Sequence, residues 1–195
     1  ALTVAGSDSS GGAGIQADLK TFAAFGVYGS SALCAVTAQN TMGVHAIQEI
    51  NTDVIKAQID AVMSDIGTDV VKTGMLSSAP IIETVSESMM KYHVEKLVVD
   101  PVMIAKSGAR LLRSDAVNSL LTCLLPLATV VTPNVPEAEV LAKMTIETAA
   151  DAEGAARRIV ELGAKAVVLK GGHLDGPAVD RLYDGKTLRE FSRSE

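Results

Sequence analysis

Short apolar runs alternate along the chain with longer stretches in which apolar residues recur every third or fourth position. Residues 1–5, 31–38, 69–75, 97–100, 129–132 and 166–169 read as strands, most of them plainly apolar. The run 31–38 has the continuous character of a strand buried on both faces. Residues 44–50 alternate roughly and read as a short edge strand. Helical spacing appears over 15–25, and again from Thr52 as N-cap, with Val54, Ile55, Ile59, Val62 and Ile66. Further helices are expected from Ser77-Ser78 and Pro80 to about Tyr92, over 111–124 with Ser114 near the cap, over 136–141, and over 151–162 with Gly163 just past the end. Residues 179–191 read as a hairpin around Asp184-Gly185. Residues 142–150 lack a clean turn signal, and a loop is expected to have been closed up or lost there.

Strands that alternate with helices, and that are apolar throughout, predict an α/β fold: a doubly wound, mostly parallel sheet with helices on both faces. In such a sheet the ligand lies beyond the C-terminal strand ends. Those ends carry Gly6, Gln39, Gly74, Asp100, Thr132 and Lys170, which are expected to line one crevice.

The chain has 195 residues, enough for one domain, and 48% of them are apolar, enough for a sizeable core. A net charge of -6 argues against nucleic acid as a partner. No apolar run approaches the length of a membrane span, and no signal peptide is visible. Cys34 and Cys123 sit in apolar runs without metal-ligand spacing, which reads as reduced core cysteines of a cytoplasmic protein. The chain starts without Met, straight into a strand, and stops at Ser194-Glu195, so both ends read as cut.

The stretch Gly6-Ser-Asp-Ser-Ser-Gly-Gly-Ala-Gly-Ile-Gln-Ala-Asp18 joins the first strand to the first helix. Its glycines permit close backbone approach, and the helix N-terminus beyond them favours an anion or an acceptor atom. It is neither a Walker A loop, since Ile15-Gln16 follows the last glycine, nor a G-x-G-x-x-G fingerprint. Asn134 and Glu137 form an N-x-x-E spacing, which on a helix places both on one face. A capped helix with an acidic first turn gives the same spacing.

The glycine stretch, continued through Leu19-Lys20, resembles the N-terminus of the hydroxymethylpyrimidine/phosphomethylpyrimidine kinases, a thiamine-biosynthesis branch of the ribokinase superfamily. So do Ala38-Gln-Asn-Thr41, Gly74-Met75, Val99-Asp-Pro-Val-Met103 with Ala105-Lys-Ser-Gly108, Thr132-Pro-Asn-Val-Pro-Glu-Ala-Glu139 and Lys170-Gly-Gly-His173. The resemblance covers nearly the whole chain, in order. It implies a ribokinase-like fold and ATP- and Mg²⁺-dependent phosphorylation of 4-amino-5-hydroxymethyl-2-methylpyrimidine and then of its monophosphate. It implies that Gln39 binds the pyrimidine, that Gly6 lies close beside the ring, and that Met75 and Val102 wall the pocket. Asp18 would stand near the hydroxymethyl end of the substrate, unless it only complements the helix dipole. Asp100 and Glu137 would hold Mg²⁺, and Asn134, Lys170 and Lys106 would contact the nucleotide. His45, His93 and His173 share no ligand spacing and read as surface or structural residues. A homodimer through the edge near residues 44–50 is implied as well.

The family also carries a Gly-Thr-Gly-Cys loop that forms the anion hole and supplies the catalytic base. Nothing after Phe191 resembles it, and neither Cys34 nor Cys123 has a Gly-Thr-Gly before it. The expectation is therefore a single kinase domain over 1–195 that lacks its C-terminal anion-hole segment, with no catalytic residue identifiable. Two readings stay open beside it: a pyridoxal kinase, and a non-catalytic module that binds a pyrimidine precursor.

Overall fold

In a computed structural model, which describes residues 1–103, 112, 115–172 and 178–192, nine strands form one sheet. They are β1 (Leu2–Asp8), β2 (Ser30–Asn40), β3 (Gly43–Glu49), β4 (Val71–Thr73), β5 (Leu97–Val99), β6 (Val130–Val131), β7 (Val167–Leu169), β8 (Val179–Tyr183) and β9 (Leu188–Ser192). Their spatial order is β3-β2-β1-β4-β5-β6-β7-β8-β9. Strands β2, β1, β4, β5, β6 and β7 are parallel. Edge strand β3 and the terminal hairpin β8–β9 run antiparallel. The chain winds outward from β1 to β3, then returns to β4 and winds the other way. The order therefore reverses between β1 and β4, where a doubly wound sheet opens its crevice.

The helices are α1 (Gly14–Ala24), α2 (Thr52–Ala61), α3 (Ala79–Lys91), α4 (Ala116–Ser119), α5 (Val135–Ala142) and α6 (Ala149–Glu161). Helix α2 continues as a π turn over Val62–Ile66, and α4 as π and 3-10 turns to Leu127. The cap of α2 is Asn51, whose side chain accepts from the Asp53 N–H at 3.1 Å, not Thr52 as the pattern suggested. Ser78 occupies the N-cap of α3 without a side-chain bond, and Ser114 lies outside the described residues. The connection from α5 to α6 is a formed turn. Lys143 takes a left-handed backbone, and the Glu139 carboxylate accepts from the Ile146 N–H at 2.8 Å. Thr148 and Asp151 then build a reciprocal capping box. A lysine in the left-handed position carries no glycine signal, which is why the turn is silent in sequence.

The sheet has two unlike faces. Leu2 stands level with Val71, and Val71 with Leu97; Val99 is level with Val131, and Val131 with Val167. All of these are buried, packed with Ile55 and Ile59 of α2, Ile82 and Val85 of α3, and Ala155 and Ile159 of α6. Each large aliphatic side chain buried this way contributes roughly 1.5–3 kcal/mol. The register neighbours on the other face are Thr3, Lys72, Val98 and Val130, then Val168 and Leu182. There α1 packs on β1 and β2, and the side chains from Lys72 to Leu182 are only half-buried. Strand β2 is not buried on both faces along its length, because its C-terminal half runs beyond the helices and leaves Val36 45% exposed.

Candidate active site

Strand β1 does not stop at Ala5. Gly6, Ser7 and Asp8 stay extended and pair with Ala35, Val36 and Thr37. The chain then turns around the Asp8 carboxylate, which is 3% exposed. That carboxylate accepts from the Ser10 N–H at 2.8 Å, the Ser10 hydroxyl at 2.8 Å, the Gly12 N–H at 3.1 Å and the Ala13 N–H at 2.8 Å. Burial by itself would raise its pKa; the Ser10 hydroxyl and the Ser10, Ala13 and Gly12 amides outweigh burial and hold it below the usual aspartate value. The acceptor that the glycine loop attracts is thus the protein's own Asp8. Sequence reasoning passed over this residue, although an Asp followed by Ser and Gly is a side-chain turn signal. Gly14 opens α1 at φ 58°, and an added Cβ would strike the Gly6 carbonyl.

The loop is tied to the end of β2. The Ser9 hydroxyl donates to the Gln39 carbonyl at 2.6 Å and accepts from the Gln39 N–H at 2.7 Å. A β-bulge between Ala5 and Gly6 shifts the register, so that Leu33 faces Ala5 but Ala35 faces Gly6. Two successive residues, Cys34 and Ala35, are then both fully buried: Cys34 in the main core, Ala35 in a small separate cluster with Met75, Val44 and Val102. A Cβ on Gly6 would collide with the Met75 methyl. Gly6 thus lies against Met75, and Val102 packs in the same cluster, with Ala35 as a member that the pattern had not singled out. Thr37 continues beyond Ala35 at the two-residue period, and its hydroxyl lies 3.4 Å from the Gln39 side-chain oxygen.

The later strand ends carry charge. Asp100 follows β5, and its N–H continues the ladder to the Thr73 carbonyl at 3.0 Å. Its carboxylate accepts from the Thr132 hydroxyl at 3.2 Å and the Lys170 ammonium at 3.2 Å. Asn134 bridges to Lys170, which brings the N-terminus of α5 beside β7. Asn134 and Glu137 form a capping box: Asn134 Oδ1 accepts from the Glu137 N–H at 2.8 Å, and Glu137 Oε2 accepts from the Asn134 N–H at 2.9 Å. The spacing is thus that of a capped helix with an acidic first turn. Glu137 is 5% exposed. Burial pushes its carboxyl above the usual range, opposed by the Asn134 amide and the Lys170 charge and reinforced by Asp100. Two carboxylates, a threonine hydroxyl and a lysine thus share one corner; the Val102 N–H donates to the Asp100 carbonyl at 2.8 Å, and the Val102 side chain packs in the Met75 cluster.

Asp18 stands apart from both groups. Its carboxylate accepts from the Thr3 hydroxyl at 2.6 Å and pairs with Lys72 at 2.8 Å, on the face that α1 covers. The Lys72 ammonium reaches to 3.4 Å from where a Cβ on Gly74 would lie. Lys106 and His173 are outside the described residues. Among the described residues no three His, Cys, Asp or Glu side chains gather as a metal cage. Cys34 is buried, which pushes its thiol up to about 12, and it is no nucleophile.

Comparison with known proteins places this arrangement. The phosphomethylpyrimidine kinase family model matches residues 8–195. The hydroxymethylpyrimidine/phosphomethylpyrimidine kinase of Bacillus subtilis is 50% identical over 194 residues, covering 98% of this chain and 72% of that protein. The crystal structure of a phosphomethylpyrimidine kinase from Clostridium difficile superposes with a TM-score of 0.92 at 52% identity, over 97% of this chain and 82% of the other. A Bacillus subtilis pyridoxal kinase solved as an ADP complex gives 0.90 at 44% identity, over 98% and 74%. A match of this extent shows that the chain belongs to the phosphomethylpyrimidine kinase family.

Proposed function

We propose that this chain binds ATP and 4-amino-5-hydroxymethyl-2-methylpyrimidine in one crevice, for transfer of the γ-phosphoryl group to the hydroxymethyl oxygen and then to the resulting monophosphate. The observation that carries this is a charged pair beside an apolar wall: Asp100 holds Lys170 at a strand end, the Val102 N–H donates to the Asp100 carbonyl at 2.8 Å, and the Val102 side chain packs in the Met75 cluster. Gln39 offers an amide to the polar edge of the ring, and Met75, Ala35, Val44 and Val102 offer an apolar wall. Lys170, released in part from Asp100, and Asn134 meet the phosphates, with Lys106 as a further contact. Asp100 and Glu137 are hard oxygen donors beside a phosphate-binding cation, a set that suits Mg²⁺ held by one or two carboxylates and the nucleotide. Bound there, Mg²⁺ would offset charge on the phosphates. Asp18 acts on the substrate side through Lys72, beneath Gly74.

The open edge of β3, with Ile47 40% exposed and Met42 in the turn before it 82% exposed, supports a homodimer contact. Free Cys34 and Cys123 suit the reducing cytoplasm.

The test is ADP release from ATP with the pyrimidine alcohol, its monophosphate and pyridoxal side by side, with calorimetric binding of each. The expected order puts both pyrimidines ahead of pyridoxal. Faster turnover of pyridoxal, the substrate class in the name of one close structural relative, overturns the assignment. Saturable pyrimidine binding without ADP release leaves a binding module instead.

A further inference from the structure

The hydroxyl of Thr37 has one proton and two neighbours that compete for it. Thr37 is 4% exposed, so no bulk water serves it. Its oxygen lies 2.7 Å from the Ser7 carbonyl, which can only accept, and the Thr37 proton is committed there. The same oxygen lies 3.4 Å from the Gln39 side-chain oxygen, at the outer limit of a hydrogen bond. One proton cannot serve both acceptors, and the shorter contact wins. Toward Gln39 the Thr37 oxygen therefore presents lone pairs, and the group that suits lone pairs is the amide NH₂. The oxygen and nitrogen of an amide exchange by a half-turn about its last bond, and the partner pattern decides which one faces where.

We propose that Thr37 is the positioning residue that sets the orientation of the Gln39 amide: nitrogen toward Thr37, carbonyl oxygen toward the crevice. The Gln39 backbone is already pinned at both its N–H and its carbonyl by the Ser9 hydroxyl, so the side chain starts from a fixed root. Its oxygen then offers the ligand an acceptor and rejects another acceptor placed opposite. An exocyclic ring amine satisfies it, whereas a ring oxo group at the same position sets two acceptors against each other. Thr37 thereby makes the crevice selective for an amino-substituted ring, an inference that rests on the pyrimidine-binding reading above.

The experiment compares 4-amino-5-hydroxymethyl-2-methylpyrimidine with its 4-oxo analogue, by calorimetry, on the wild type, Thr37→Val and Thr37→Ser. The wild type is expected to prefer the amine by roughly 10- to 100-fold, the range set by one unsatisfied buried polar group. Thr37→Val, near the same shape but without the hydroxyl, is expected to bring the two ligands to within about threefold. Thr37→Ser restores the preference. A merely structural role for Thr37 would weaken both ligands equally and leave the ratio unchanged; that result overturns the proposal. A second measurement needs no variant. Proton NMR of the wild type is expected to show nuclear Overhauser contacts from the Gln39 side-chain NH₂ to the Thr37 methyl, and their absence overturns the assigned orientation. If the wild type binds neither ring, the pyrimidine reading fails, while the NMR result still decides the amide orientation.

Discussion

The two halves of the crevice are built by different means. Around Gly6, Thr37, Gln39 and Met75 the contacts are neutral hydrogen bonds and apolar packing, set by a β-bulge and a backbone clamp. Around Asp100, Thr132, Glu137 and Lys170 they are charges at strand ends, and one buried carboxylate. On the proposed reading the first half would select by shape and by the pattern of donors and acceptors, which salt hardly screens, and the second would meet the nucleotide phosphates through Lys170, a contact that salt screens. The difference supplies ways to separate the halves by experiment.

The largest effect is expected at the junction of loop and helix. Gly14→Ala forces a Cβ into a left-handed backbone and against the Gly6 carbonyl. It should cost about 2 kcal/mol or more in urea unfolding and abolish pyrimidine binding. Gly172→Ala, where an added Cβ meets nothing among the described residues, should be near neutral. Equal losses in the two variants would dissolve the contrast.

Asp8→Asn comes next, since it removes a buried anion that organises four donors. A loss of about 1.5–3 kcal/mol is expected, with weaker pyrimidine binding and unchanged nucleotide binding. The pKa of Asp8 is lowered by folding, so its contribution is present above the ordinary value of 3.8 and is lost as pH falls through the depressed value. The gap between wild type and Asp8→Asn should therefore close in acid, read from urea midpoints across that range.

Lys170→Met tests the charged half. ATP affinity should fall roughly tenfold or more, and pyrimidine affinity should stay within about twofold. Rising salt should weaken ATP binding by the wild type more than by the variant. Parallel losses for both ligands would show that the halves are not separable.

The smallest stability change is expected for Glu137→Gln, because glutamine still completes the capping box; under about 1 kcal/mol is the forecast. Its signature is the pH profile. The folded pKa of Glu137 lies above the ordinary 4.5, so its contribution is fully present below that value and is lost as pH rises through the folded value. Wild type should thus lose stability relative to Glu137→Gln over that rise, while binding of Mg²⁺–nucleotide strengthens as the carboxylate ionises. A flat difference would mean that Glu137 does not titrate there.

Much of this was legible before any coordinates. Strands and helices fell where apolar periodicity put them, since each element buries its own apolar side and the period is local. Gln39, Asp100 and Lys170 could be singled out because a polar residue directly after an apolar run marks the end of a buried strand, and Asn134 and Glu137 by their spacing. Thr132 stood in the same kind of position but was not given a role. Asp8, Ser9 and Thr37 were missed for another reason: their partners are other loop or strand residues, and nothing in a local pattern shows which donor a carboxylate or hydroxyl will find.

By itself, then, the amino-acid order determined the alternation of elements and the residue types available at the strand ends. The tertiary structure decided which of those residues meet. The bulge at Ala5–Gly6 exists only when β1 lies against β2, and it moves Ala35 out of the main core and into contact with Met75. Asp18 could be named from the sequence, but its partner Lys72 lies 54 positions later, and only the fold brings the two together. Side-chain period is a property of one strand, whereas register and ion pairing belong to two segments brought together by the collapse of the whole core.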